Sequence, residues 1–182
     1  QSRNLKNIAE RDNLKVLNFN YTNTIDTKQY FHPDDVINIH GNAENHKILP
    51  IIFGYGDEVH PIYQEMEDTG NNVYLEHIKS FKYFRDDNYT KLLTYLESGY
   101  FEAVIIGHSC GITDRVLLRT IFQHPFCKSV DVFYHKDESV FNEITMNISR
   151  HFTPENKDAM RKKIKPLNKR NIIPQYSMKI NQ

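Results

Sequence analysis

The sequence predicts an α/β fold, a Rossmann-like parallel sheet flanked by helices, and two observations carry that expectation. In the second half, short apolar runs alternate with stretches of helical period, the pattern that packs helices over a parallel sheet. The run Val104-Ile105-Ile106 also stops abruptly at Gly107-His108-Ser109-Cys110-Gly111, and a helical pattern follows at once. A turn of that composition at the carboxyl end of a buried strand is where such sheets place ligands. At 182 residues the chain suits one core rather than two. A single domain is expected over residues 1–170, with a loosely attached polar tail over 171–182.

Leu5 and Ile8, at helical spacing among charges, predict a helix leading into a strand over Lys15 to Asn20, which ends in a polar turn reaching Asp26. A second strand is expected at Val36 to Ile39, stopped by His40-Gly41-Asn42. A third is expected from Ile48 to Phe53. It holds Pro50, which removes a ladder donor and predicts an edge or bulged strand before the tight turn at Gly54-Tyr55-Gly56-Asp57. Residues 63–84 are polar and aromatic without strand alternation and predict helices with a long loop. Tyr89, Leu92, Leu93 and Leu96 mark a helix face that Gly99 ends, before a strand from Phe101 to Ile106. Asp114 is expected to cap a helix carrying Leu117, Leu118, Ile121 and Phe122, stopped ahead of Pro125. Val130 to Tyr134 predicts a strand. Val140, Phe141, Ile144 and Ile148 predict a helix beginning near Asp137, and Thr153-Pro154 opens the last one.

Charge and cysteine content narrow the function. With 23 basic and 23 acidic side chains there is no global field for nucleic acid or an anionic membrane. The basic run from Arg161 to Lys165, continuing to Lys169 and Arg170, lacks interleaved aromatics and reads as a solvated helix face. Cys110 and Cys127 form no C-x-x-C pair, which points to a reducing, cytoplasmic setting and gives no cysteine-based zinc site. No apolar stretch approaches the roughly 20 residues that span a bilayer. The nine histidines show no H-x-x-x-H pair, so no metal is expected.

Three strand ends should converge on one crevice: Phe19-Asn20-Tyr21-Thr22, Ile39-His40-Gly41-Asn42 and Gly107-His108-Ser109. Asn20 offers an amide able to orient a water or a sugar hydroxyl, and His40 is a side chain that both takes and gives a proton near neutral pH. Gly107 admits close approach of backbone to a ligand, and Ser109 supplies a hydroxyl. Each also has a plain structural explanation, as a turn, a strand cap or a helix-amide acceptor. Gly107-His108-Ser109-Cys110-Gly111 matches the G-x-S-x-G nucleophile elbow as well. That alternative makes Ser109 an esterase nucleophile, with Asp131 and His135 or His151 completing the triad.

Four motifs in order resemble the bacteriophage abortive-infection family AbiH: Leu17-Asn18-Phe19-Asn20-Tyr21-Thr22-Asn23-Thr24, Ile37-Asn38-Ile39-His40-Gly41, Ile51-Ile52-Phe53-Gly54-Tyr55-Gly56-Asp57, and Val104 through Asp114. That family is in turn similar to sirtuin-like NAD-binding proteins. The resemblance implies an antiphage protein with NAD or a related nucleotide as its ligand. It places Asn20 near the nicotinamide ribose and His40 on the catalytic histidine. It puts Gly107 and Ser109 on the turn that touches the nucleotide, with Thr22, Gly41, His108 and Asp114 in the binding motifs. Thr22 departs from the pattern's aspartate. The glycine-rich phosphate loop of these families is absent, so the chain resembles the carboxyl-terminal part of a longer protein whose first strand lies upstream.

The activity expected from the resemblance is cleavage of NAD at its glycosidic bond, with Asn20 positioning a water or ribose hydroxyl and His40 removing its proton. The second expectation, supported by Thr22 and the absent loop, is a sensor that binds a nucleotide or a phage protein without chemistry. Expected partners are a nucleotide, a phage-derived trigger, the upstream segment of the same protein and a second copy of the chain. A membrane and nucleic acid are not expected.

Overall fold

The computed structural model describes residues 13–23, 25, 31–56 and 58–174. The helix expected around Leu5 and Ile8, together with Thr24, Asp26 and Asp57, lies outside them. The described residues form a mixed α/β structure with four strands and six α-helices. These are β1 (Val16–Asn18), β2 (Val36–Asn38), α1 (Pro61–Asp68), α2 (Lys79–Lys82), α3 (Asn88–Glu97), β3 (Phe101–Ile106), α4 (Arg115–Phe122), β4 (Cys127–Phe133), α5 (Glu138–Ser149) and α6 (Lys157–Lys163).

The sheet differs from the single parallel sheet expected. β1 pairs only with β2 and β3 only with β4, each pair parallel, giving two two-stranded sheets. β1 and β2 are three residues long, each turning away within two residues of its end, so neither offers a long ladder to extend. The pairs are joined by packing instead. Phe19, Phe101 and Ile121 touch both apolar clusters, one built on Ile37, Ile39, Leu92, Leu96 and Leu117, the other on Leu118, Phe122, Val130, Val132 and Ile148.

The helices follow from apolar spacing. Leu92 and Leu96 lie four apart on the buried face of α3; Leu118 and Phe122 do the same on α4, and Ile144 and Ile148 on α5. Asp137 caps α5 through the Ser139 amide. α6 continues a 3₁₀ turn that opens at Pro154, where the missing amide costs nothing.

One expectation is corrected. Residues 48–53 form no strand: the Ile48 and Leu49 amides bond Asn45 O, the Ile52 amide bonds His40 O, and only Ile52 of the segment is fully buried. Pro50 breaks the ladder and its carbonyl presses against Gly41. Of the tail expected over 171–182, residues 175–182 lie outside the described residues. Asn171 is buried, its Nδ2 donating to Asp131 Oδ1 at 2.6 Å, and Ile172 bridges in parallel to Tyr134.

Gly41 has φ +80°, and a Cβ there would sit 2.2 Å from Pro50 O; Gly107 has φ +68° with open space around it. Gly41→Ala combines backbone strain with overpacking and should lose about 2–4 kcal/mol, against about 1 kcal/mol for Gly107→Ala. Urea unfolding of both variants checks the order; equal losses would contradict it.

Candidate functional site

The site is assembled by a close backbone approach. Residues 54–56 run between two other segments, the Tyr55 amide bonding His77 O at 2.9 Å and the Lys79 amide bonding Tyr55 O at 2.8 Å. On the other side the Val116 amide reaches Gly56 O. A Cβ on Gly54 would lie 2.1 Å from His77 O, and one on Gly56 2.2 Å from Thr113 O. Only glycines let the three backbones lie this close. The consequence is that Lys79, at the start of α2, and Asp114, just ahead of α4, are brought face to face.

Lys79 Nζ donates to Asp114 Oδ1 at 2.7 Å, and both residues are buried, at 5% and 7% exposure. His40 Nε2 lies 3.1 Å from the same oxygen, and His108 Nε2 lies 3.6 Å from Oδ2. Burial alone would raise the Asp114 carboxyl, yet the approach of His108, His40 and Lys79 and the Lys79 charge outweigh it and hold the group well below the usual carboxylate range. Asp114 precedes α4 as the sequence predicts, but its side chain makes no capping bond. It turns inward to the cations instead.

His40 sits at 3% exposure beyond the end of β2, with Phe19 edge-on at 5.4 Å and Tyr21 stacked at 5.9 Å between ring centroids. Its Nδ1 donates to Phe19 O at 3.2 Å. Nε2 approaches Asp114 off the line of a good hydrogen bond and has no other partner among the described residues. A proton on Nε2 turns that approach into an ion pair.

The β1 end is organised by a residue the motif reading passed over. Buried Asn18 donates to Asn38 Oδ1 at 2.8 Å and to Thr22 O at 3.3 Å, while its Oδ1 accepts from the Asn20 amide and from Asn20 Nδ2. Asn20 and Thr22 are exposed above it. Gly41 is buried below.

At the β3 end, Gly107 and Cys110 both adopt left-handed backbone, so the chain doubles back within four residues. His108 is carried beneath the turn, its ring 4.1 Å from that of Phe19. Its Nδ1 accepts from the Cys110 amide at 3.0 Å, which leaves the ring proton on Nε2, aimed at Asp114. α5 and the residues after it clamp this turn: Asn147 Nδ2 donates to Ser109 O at 2.9 Å and His151 Nε2 to Cys110 O at 2.8 Å. Burial pushes the Cys110 thiol up to about 12, with Asp114 adding to the shift.

The structure thus gathers His40, His108 and Asp114 at one point, with Gly107, Ser109 and Asn20 exposed at the strand ends. The groups named for a serine hydrolase are engaged elsewhere. Asp131 accepts from Asn171 and faces Lys165 at 3.7 Å, His151 holds Cys110 O, and His135 is exposed. Positive φ falls on Cys110, not Ser109. Lys79 was missed by the sequence reading, as were Asn18 and Asn147, while His151 was named only for the hydrolase triad and instead holds Cys110 O. Nothing in the local sequence singles Lys79 out, since Lys82 and Arg85 follow it closely.

Replacing Asp114 by Asn leaves Lys79 buried without its counter-ion and should cost about 3–5 kcal/mol at pH 7. Because the folded-state pKa is depressed, this contribution is complete above the ordinary aspartate pKa of about 3.9 and is lost as pH falls further below it. Denaturation of both proteins at pH 7 and near pH 2.5 should show a difference that shrinks in acid. A difference independent of pH would show that the carboxylate charge is not what Asp114 contributes.

Among the described residues no helix is long and apolar enough to cross a membrane. No group of three or more His, Cys, Asp or Glu among them is placed to hold a metal ion. No curated protein and no solved structure matches the chain. A family model described as "Bacteriophage abortive infection AbiH" matches residues 1–136, a span that contains β1 to β4 and all four members of the Asp114 cluster. The chain therefore belongs to the AbiH family of bacteriophage abortive-infection proteins.

Proposed function

We propose that this abortive-infection protein acts through a nucleotide site at the carboxyl ends of β1 and β3, with NAD as ligand and cleavage of its glycosidic bond as the reaction. The observation that carries the reading is the buried Asp114 carboxylate, kept ionised by Lys79 and faced by two histidines beneath an exposed mouth. Paired buried charges with titratable neighbours at strand ends are characteristic of ligand sites. Gly107 suits the mouth, since the space where a side chain would project is open to a ligand.

In this reading the bond between the ribose and the nicotinamide nitrogen breaks, and its electron pair leaves with the ring. The ribose cation is captured by a water or a sugar hydroxyl that Asn20 orients, and the hydroxyl proton passes to His40. Because Nδ1 already donates to Phe19 O, the proton is taken on Nε2, and Asp114 Oδ1 at 3.1 Å pairs with the imidazolium. A phage component acts as the trigger. One observation favours a second reading, binding without chemistry: His40 is 3% exposed and its Nδ1 is committed to Phe19 O, so it meets a ligand only if that loop moves.

Nicotinamide release and calorimetric NAD binding, measured on the wild type and His40→Ala, test both. Release that falls at least about 100-fold in the variant with binding retained supports cleavage with His40 as base. Binding without release from the wild type supports the sensor reading. Neither binding nor release would overturn NAD as the ligand.

A further inference from the structure

The chain has zero net charge, yet its charge is segregated. Residues 55–78 carry six carboxylates and no Lys or Arg, while residues 157–170 carry seven cations and one carboxylate. Among the described residues no ion pair joins the two segments.

The acidic segment also holds an apolar groove of about 350 Å³, lined by Tyr55, Ile62, Tyr63, Met66, Tyr74 and Ile78. Ile62 and Tyr74 are more than half exposed there. Glu65 and Glu67 stand on α1 beside it, and Glu76 lies on the far side, all exposed. The basic segment presents the complement. Lys169 and Arg170 are exposed and make no side-chain ion pair among the described residues, and Ile172 follows them, 39% exposed on a chain held by its bridge to Tyr134.

We propose that the groove receives the segment around Lys169, Arg170 and Ile172 of a second copy of this chain. Ile172 enters the apolar groove while the two cations meet Glu65, Glu67 and Glu76. The charge match and the pre-ordered backbone of the basic segment argue for this occupant, since a docked strand end loses little entropy on binding. Groove and insert are different surfaces of the same molecule, so the contact is heterologous and one copy can both give and receive. Charges that meet at an exposed rim are screened by salt, so the association is salt-sensitive.

Sedimentation velocity over a concentration series tests it. In about 25 mM salt the mass should rise with concentration above the monomer's 21.6 kDa, and in about 500 mM salt it should return to that value. Lys169→Glu with Arg170→Glu, and separately Glu65→Lys with Glu67→Lys, should each stay monomeric, and mixing the two variants should restore association. Circular dichroism confirms that each variant is folded. A wild type of 21.6 kDa at every concentration and salt, or association that neither charge reversal alters, would overturn the proposal.

Discussion

The contact between Lys79 and Asp114 is the constraint on which the rest of the site depends. Two full charges removed from water are tolerated only if each finds the other at close range and the remaining lone pairs are met. Here the pair lies at 2.7 Å, and the second carboxylate oxygen is faced by His108. Such a pair is poor evidence for stability, because an apolar replacement of the same volume often does as well. Its presence is better explained by what it fixes. It joins the 55–79 region to the start of α4, and it does so only because Gly54 and Gly56 let their backbone pass between carbonyls that any side chain would strike.

From that pair the organisation spreads in two directions. Towards β1 and β2, Asp114 meets His40, which Phe19 and Tyr21 enclose, and Asn18 holds the loop above. Towards β3, His108 reaches Asp114 because the turn after the strand uses two left-handed residues, and Asn147 and His151 hold its carbonyls. The two small sheets share no ladder, yet their carboxyl ends meet at one carboxylate. A ligand entering between them would act on a charge arrangement set in advance, so little reorganisation is needed when it binds.

Much of this was legible in the sequence. The helices after residue 88 followed from leucine and isoleucine spacing, and β3 was read to its ends, since an apolar run bounded by glycines allows few alternatives. His40 was picked from one motif and His108 and Asp114 from another, and the three prove to be neighbours. The failures have physical causes. A periodicity argument has no way to see that Pro50 sends amide bonds into a local loop, nor that short β1 and β2 divide the sheet. Lys79 was invisible because its partner is 35 positions away and its approach depends on backbone contacts made by two glycines that read only as a turn. Asp114 looked like a helix cap because local preference and tertiary demand agree on the residue type and disagree on where the carboxylate points.

The central claim is that the ligand acts on the Asp114 cluster, and nitrogen NMR of histidine-labelled protein tests it most directly. His40 and His108 are two of nine histidines, and those remote from the site serve as controls. The account predicts that added NAD shifts the ring nitrogens of His40 and His108 and leaves the remote rings, such as His135, unchanged. Saturating NAD that moves neither ring would contradict it.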